Sequence, residues 1–189
     1  MIRIGILGDI GSGKSYVANN FGYPVFNADL EVSKLYNKNK KIFKKLNNKL
    51  PKYIYYFPID KNQITKAILS NNSNFKEILK IVHSEIRKKM IIFLKKNKNK
   101  KIVILDIPLL LENKIYKKKD ILVFVESPKE EIKKRLKARL NFNNKLFKKF
   151  QKLQFKASFK KRKAKFIIKN KFTKKSVNIG VRNILNQIL

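Results

Sequence analysis

The sequence predicts an α/β fold in which helices flank a parallel β-sheet. Short apolar runs, typical of buried strands, alternate along the chain with segments of helical spacing, as they do in parallel sheets. A G-x-x-x-x-G-K-S spacing at residues 8–15 follows the first run and opens the first helical segment. The chain has 189 residues, which fits one domain with a small inserted lobe, and its hydrophobic share of 43% is enough for a core.

The first predicted elements alternate in this way from the N-terminus. Residues 2–7 form a short apolar run that predicts a buried strand, and residues 14–21 then have helical spacing. Residues 24–29 predict a second strand that ends at Asp29, and residues 30–36 predict the helix that follows it.

The middle of the chain predicts a separate helical lobe. From about residue 38 to residue 100, stretches rich in Lys and Asn alternate with amphipathic ones, and the longest of these has apolar residues at helical spacing. We therefore expect a helical lobe at about 38–100, inserted into a core made of residues 1–37 and 101–189.

The second half of the chain contains three more predicted strands. Residues 101–110 form a continuous apolar run, as in a strand covered on both faces, and residues 120–127 and 165–170 form shorter runs. Ser127 followed by Pro predicts a capped helix start. An amphipathic helix over residues 177–189 closes the chain.

The charge of the chain allows two interpretations. Lys and Arg number 47 against 12 Asp and Glu, a formal net charge of +35. Such a charge is typical of proteins that bind nucleic acids or other polyanions. However, Lys, Asn, Ile and Phe are abundant together, as expected of AT-rich coding sequence, and the lysines are spread along the whole chain. We therefore expect no specific nucleic-acid partner.

The Cys and His content and the length of the apolar runs restrict the class of protein further. The absence of Cys excludes disulfides and indicates a reducing cytoplasm, and one His without Cys argues against a zinc site. No signal peptide is recognisable, and the apolar runs are too short to span a bilayer. We expect a cytoplasmic protein without membrane contact.

Residues 8–15 have the composition of a phosphate-binding loop. Gly8, Gly11 and Gly13 allow the backbone to curl, so that its N–H groups point at phosphate oxygens. Lys14 supplies a point charge to the β- and γ-phosphates, and the Ser15 hydroxyl is a ligand for Mg²⁺. A chance match to this spacing need not lie between a strand and a helix. This one follows a predicted strand and opens a predicted helix.

Two aspartates at predicted strand ends are candidates for the chemistry. The carboxyl ends of parallel strands face the ligand crevice, so Asp29 could act as a general base on an acceptor hydroxyl, or could simply cap the next helix. Asp106 could support a bound Mg²⁺, or could be a cap or turn residue. The residues alone leave both alternatives open.

Three other features also have two interpretations each. The apolar loop at residues 108–113 could wall a substrate pocket or belong to the core. His83 lies in the long amphipathic segment, where a structural or substrate-lobe role is favoured over catalysis. Arg135 and Arg139 lie four residues apart on a predicted helix face, where they could clamp a triphosphate or form a solvated basic face.

Taken in order, these segments resemble the dephospho-CoA kinase family. Residues 8–21 resemble its Gly-rich ATP loop, residues 26–36 its Asp-Ala-Asp segment, residues 81–90 its His-Pro-x-Ile-Arg segment and residues 106–113 its Pro-Leu-Leu-x-Glu segment. The remaining matches are Arg135, Arg139, Gln154, Lys160, Ala164 and Asn170.

The resemblance implies a P-loop kinase fold with a five-stranded parallel sheet, a coenzyme A-binding lobe at about 38–100 and a lid at about 139–160. It implies that MgATP phosphorylates the ribose 3′-hydroxyl of dephospho-CoA, the last step of coenzyme A synthesis, and we expect a monomer. The alternatives are another small-molecule or nucleoside-phosphate kinase with the same loop, or a basic RNA-binding protein with a vestigial loop.

The resemblance also implies roles for individual residues. The catalytic residues would be Asp29, Lys14 and Arg139. The ATP-binding residues would be Gly8, Gly11, Ser12, Gly13, Lys14, Ser15, Tyr16 and Arg135, with Ser15 also binding Mg²⁺. The residues binding dephospho-CoA would be His83, Arg87, Pro108, Leu109, Leu110 and Glu112.

The chain departs from the family pattern at several positions. Asp9 replaces a Gly and Tyr16 a Thr in the loop, and Asn27 replaces the first aspartate of Asp-Ala-Asp. Further departures are Ser84 for Pro, and Leu140 and Lys165 for Asp. Because the residues given the central chemical roles are retained, we expect an active but diverged enzyme.

Overall fold

The computed structural model describes residues 1–140 and 142–189, and within them it contains one five-stranded sheet in which the strands are parallel. The strand order is β2-β3-β1-β4-β5, which confirms the predicted α/β fold. The strands are β1 Ile2–Gly8, β2 Val25–Asn27, β3 Ile102–Asp106, β4 Ile121–Glu126 and β5 Phe166–Lys169. The predicted lid includes Asn141, which lies outside the described residues.

Helices connect and flank these strands. In chain order they are α1 Lys14–Asn20, α2 Ala28–Lys38, α3 Lys40–Lys49, α4 Lys61–Ser70, α5 Asn72–Lys96, α6 Lys129–Lys137, α7 Asn144–Leu153, α8 Ala157–Lys163 and α9 Lys174–Ile188. None of the helices in the described part of the chain has the length and apolarity needed to cross a bilayer.

The sheet is the core of the first of two compact units, which we call the sheet unit: Met1–Asn27 together with Asn97–Leu189. Ile4 on β1, Ile104 on β3 and Val123 on β4 are fully buried in one apolar cluster with residues of α1 and α9. Each such side chain contributes about 1.5–3 kcal/mol by leaving water. Because strands covered on both faces must be apolar throughout, this packing explains the continuous apolar run over β3.

The second unit, which we call the helical unit, covers Ala28–Lys96 and contains α2 to α5. It begins at Ala28, whereas the sequence predicted a lobe from about residue 38. The physical reason is that α2 packs against α3 and α5, burying Leu35, so α2 belongs with these helices rather than with the sheet.

Two predicted helix starts need correction. β2 ends at Asn27 and α2 begins at Ala28, so Asp29 lies in the first turn of α2 and neither ends the strand nor precedes the helix as its cap. Ser127 does not cap α6, because Pro128 occupies the N-cap position and no side chain caps this helix. The Ser127 hydroxyl instead donates to the Ser12 carbonyl at 2.8 Å.

Two further corrections concern the bounds of α6 and α9. α6 ends at Lys137, so Arg139 lies beyond its C-cap, and Arg135 and Arg139 do not share a helix face. The closing helix begins earlier than predicted, at Lys174, because the Thr173 side chain accepts a hydrogen bond from the Ser176 amide and caps it.

Candidate active site

The carboxyl ends of the strands bring the candidate residues of the sheet unit to one edge. In the strand register Asn27 pairs with Asp106 and Gly8 pairs with Val125. The loop at residues 8–15 leaves β1 at this edge and runs into α1. In parallel α/β sheets this edge is where ligands bind.

The loop has the backbone geometry that its glycines predict. Gly8, Gly11 and Gly13 have φ angles of 152°, 86° and 84°, in the region that side chains rarely adopt. A Cβ atom at Gly13 would also lie only 2.5 Å from the Asn170 amide nitrogen, and one at Gly11 would crowd Leu136 of α6 at 3.0 Å. The sequence prediction of a tight glycine loop between β1 and α1 therefore agrees with the geometry.

Side chains from two other strand ends brace the loop at Ser12. Ser12 is 1% exposed, and its carbonyl accepts hydrogen bonds from the Ser127 hydroxyl and, at 3.0 Å, from the Asn170 amide. From the sequence, Ser127 was expected to cap a helix. Its position directly after β4, at the carboxyl edge, was the signal that could have placed it against the loop.

Two lysines direct their ammonium groups at the loop. Lys14 Nζ donates to the Asp9 carbonyl at 2.8 Å. Lys160 of α8 is 3% exposed, and its ammonium donates to Asp9 Oδ1 at 2.8 Å and to the Gly8 carbonyl and Gln154 Oε1, both at 3.3 Å. Sequence reasoning gave Lys160 no role, because only its spacing in the last matched region distinguished it from other lysines.

Asp106 faces the loop from the end of β3. It is 4% exposed, accepts a hydrogen bond from the Asn27 side-chain amide at 2.7 Å, and also accepts one from the Ser15 hydroxyl. Burial raises the pKa of the Asp106 carboxyl above its usual value, although the Ser15 hydrogen bond and the Lys14 charge oppose that rise. These partners favour a role of Asp106 in supporting a bound Mg²⁺ over a role as a cap or turn residue.

Arg135 on α6 lies beside the loop, whereas Arg139 lies beyond the end of α6. The Arg135 guanidinium stands 4.2 Å from the centre of the Phe172 ring, an arrangement that is attractive through the ring's π-electrons. The Phe172 ring also comes within 3.6 Å of the Cβ position of Gly13. Arg139 is exposed, and its carbonyl accepts from the Phe142 amide at 3.0 Å.

The loop after β3 is mostly part of the core. Leu109 and Leu110 are buried, and Leu110 occupies the space where Gly5 lacks a side chain. Pro108 and Glu112 are half-buried, and Glu112 Oε1 accepts a hydrogen bond from the Phe155 amide at 2.8 Å. This loop therefore holds the start of the segment between α7 and α8, and a contact with substrate remains a prediction.

The helical unit carries the other predicted site residues. His83 is half-buried on α5 and Arg87 is exposed one turn later on the same helix. Burial lowers the pKa of His83 below its usual value, and the positive charge of Arg87 adds to this effect. Both effects favour the neutral form of the imidazole. Asp29 is exposed in the first turn of α2, where the helix dipole favours a negative charge.

A model of the dephospho-CoA kinase family matches residues 2–175 of the chain. The chain belongs to the dephospho-CoA kinase family. It is therefore an enzyme of coenzyme A biosynthesis, a kinase that phosphorylates dephospho-CoA with ATP. The match extends over both the sheet unit and the helical unit, and nothing in the comparisons supports another kinase or an RNA-binding protein.

Curated relatives of this kinase cover nearly its whole length. The dephospho-CoA kinase of Wolbachia pipientis wMel is 32% identical over 190 residues, which cover 98% of this chain and 97% of that protein. The dephospho-CoA kinase of Bartonella henselae is 33% identical over 170 residues, which cover 87% of each chain.

Solved structures show the same fold. TT1252 from Thermus thermophilus has a TM-score of 0.80 at 26% identity, over 100% of this chain and 98% of that one. The dephospho-CoA kinase from Campylobacter jejuni has a TM-score of 0.62 at 23% identity, over 98% and 96% of the two chains. A shikimate kinase from Bacteroides thetaiotaomicron, at 13% identity and a TM-score of 0.53, shows that the fold is shared by other small-molecule kinases.

Proposed function

We propose that this kinase transfers the γ-phosphoryl group of MgATP to the ribose 3′-hydroxyl of dephospho-CoA, with the phosphates held by the loop at residues 8–15. The observation that carries the proposal is the meeting of this loop with the buried Asp106 carboxylate and the Lys14 ammonium at one sheet edge. Phosphoryl transfer depends mainly on positioning and on fixed charges near the developing negative charge, and these groups supply both.

The residues around Ser15 fit a magnesium ion. No group of three or more His, Cys, Asp or Glu in residues 1–140 and 142–189 could hold a metal, so an ion here would need oxygens from the nucleotide as well. Mg²⁺ is held in this way in phosphoryl-transfer sites, by one or two protein oxygens together with phosphates and water. The Ser15 hydroxyl and the Asp106 carboxylate, which are hydrogen-bonded to each other, offer hard oxygen ligands. When bound, Mg²⁺ would neutralise charge on the phosphate oxygens.

In the sheet unit we propose roles for the loop, for Lys14 and for two arginines. The loop N–H groups around Gly11 and Gly13 would hold phosphate oxygens, and Lys14 would exchange its bond to the Asp9 carbonyl for the β- and γ-phosphates. Arg135, beside Phe172, would contact the nucleotide. Arg139 would neutralise charge on the transferred group.

The remaining ATP contacts that we propose are Gly8, the buried Ser12, which shapes the loop, and the exposed Tyr16 on α1.

The other proposed residues act on the acceptor, dephospho-CoA. We propose that Asp29 accepts the proton of the ribose hydroxyl, because it is an exposed carboxylate at the start of α2, two residues after the end of β2. In the helical unit the exposed Arg87 would offer a positive charge for the pyrophosphate of dephospho-CoA, and the half-buried His83 would offer a hydrogen bond.

The acceptor residues proposed in the sheet unit lie in the loop after β3: Pro108, Leu109, Leu110 and Glu112. We further propose that the enzyme works as a cytoplasmic monomer with no specific nucleic-acid partner.

Dephospho-CoA is expected to stimulate ATP consumption strongly, because a matched acceptor is needed for transfer. AMP, UMP, shikimate and RNA should give only the basal rate. ADP release is measured with each compound in turn at fixed Mg²⁺ and salt. Equal stimulation by a nucleoside monophosphate would contradict the proposed acceptor.

Asp106→Asn is expected to stabilise the ligand-free protein while slowing catalysis. Since burial raises the pKa of the folded carboxyl, its ionisation opposes folding, and stability falls as pH rises from the unfolded pKa through the folded one. At neutral pH the Asn variant has no carboxyl to ionise, so it does not lose this stability. The Tm should rise by roughly 2–4 °C for each kcal/mol relieved, whereas the rate should fall on the order of 10²-fold.

Thermal unfolding without Mg²⁺ and turnover with it measure the two effects of Asp106→Asn. Asp120→Asn is the matched control. The Asp120 side chain is also buried, but it pairs with Arg3 at 2.9 Å, so loss of this pair should lower the Tm. An unchanged rate in Asp106→Asn would remove Asp106 from the magnesium site.

A further inference from the structure

Asp9 places a negative charge inside a loop built to receive phosphates. Its side chain is 43% exposed, and Oδ1 pairs with the buried Lys160 ammonium at 2.8 Å. Its carbonyl oxygen accepts from the Lys14 ammonium at the same distance. Asp9 therefore accepts a hydrogen bond from each of these two ammonium groups, through its side chain from Lys160 and through its carbonyl from Lys14.

Lys160 needs such a partner because a buried ammonium is costly unless a negative charge compensates it. Its three hydrogens have acceptors in Asp9, Gly8 and Gln154, but among these only the Asp9 side chain carries a charge. The Gly8 and Gln154 oxygens accept hydrogen bonds from Lys160, but they are neutral and do not balance its positive charge.

We propose that Asp9 is a counter-ion built into the phosphate loop, which neutralises Lys160 in the free enzyme and competes with nucleotide phosphates for this cation. Asp9 is thus a positioning residue that weakens the binding of ATP and ADP and speeds the release of ADP. The inference rests on the proposed function, because it requires that the loop holds nucleotide phosphates.

A counter-ion and a structural brace at Asp9 predict opposite changes in nucleotide affinity when the Asp9 side chain is replaced. A brace holds the loop in its binding geometry, so its removal weakens nucleotide binding. A competing counter-ion repels phosphates and occupies the Lys160 ammonium, so its removal strengthens binding. The free enzyme loses stability in either case, because Lys160 remains buried without a negative partner.

Asp9→Asn is the test, since it removes the charge and keeps the size. Titration calorimetry with ADP, at fixed ionic strength, should show binding on the order of tenfold tighter than in the unmodified enzyme. Without ligand the Tm should fall, and saturating ADP should raise it by more than in the unmodified enzyme. Asp9→Gly, which removes the side chain altogether, should change ADP affinity in the same direction.

Glu126→Gln is the matched control. Glu126 pairs with Lys161 of the same helix α8 at 2.6 Å, so the variant makes the same change in net charge beside the neighbouring lysine. Its ADP affinity should stay within about twofold, because the pair is exposed and screened.

Lys160→Met tests the other half of the pair. ADP binding should weaken, and adding Asp9→Asn to this variant should recover less than tenfold, because no ammonium is released to the phosphates. The same gain in both backgrounds would overturn the proposal, since Asp9 would then act by repulsion alone. Weaker or unchanged ADP binding in Asp9→Asn and Asp9→Gly would also overturn it. If none of the forms binds ADP, the proposed function of the loop fails as well.

Discussion

Asp29→Asn should slow phosphoryl transfer by about 10²–10⁴-fold, the range typical of the loss of a general base. A ribose hydroxyl is a poor nucleophile, and a carboxylate can accept its proton as the bond to phosphorus forms. The amide of Asn has nearly the same size and still accepts a hydrogen bond, but it cannot take the proton. Affinities for ATP and dephospho-CoA should therefore change little.

The measurement is a single-turnover rate, with both affinities and the Tm determined on the same preparation. Asp29 lies in the first turn of α2, so its charge also interacts with the helix dipole, and the variant should lose about 0.3–1 kcal/mol of stability. If the dipole interaction were the whole role of Asp29, the Tm would fall slightly and the rate would stay normal.

Glu31→Gln is the matched control for Asp29→Asn. Glu31 lies in the same first turn and pairs with Lys34 at 2.6 Å. It should show the small loss of stability without the loss of rate. A slow Glu31→Gln enzyme would mean that the negative charge of this turn, rather than a proton acceptor at Asp29, is what transfer requires.

Lys14→Met should lower turnover by at least about 10³-fold, because the β- and γ-phosphates lose a fixed positive charge where negative charge develops. Weak ATP binding through the loop N–H groups should remain. The Lys14 ammonium, 2.8 Å from the Asp9 carbonyl, is already held at the loop before a nucleotide binds. Steady-state turnover and direct ATP titration separate the two effects.

Lys133→Met makes the same change at a lysine that pairs with Glu130 on the surface of α6, and it should turn over normally. Near-normal turnover in Lys14→Met would mean that residues 8–15 are not the catalytic site. A loss of turnover in both variants would instead point to the overall positive charge of the chain.

Features that depend on local pattern could be predicted from the residues alone. The continuous apolar run before Asp106 predicted a buried strand, and alternation of such runs with helical spacing predicted the parallel sheet that the structure contains. The glycine spacing before Lys14 predicted a loop whose glycines have positive φ angles. These predictions succeed because burial on both faces and left-handed backbone each restrict the residue type at the position itself.

The contacts between distant residues became known only from the packing of the elements. The sequence left Asp106 as either a site residue or a cap, and the structure places it against Asn27 and Ser15. The sequence ended β2 at Asp29, but α2 begins one residue before Asp29. Lys160 matched the family pattern by its spacing, but its contact with Asp9 follows only from the packing of α8. Periodicity records which side of an element is buried, whereas a contact between residues far apart in the chain depends on how the elements pack, and no local pattern encodes it.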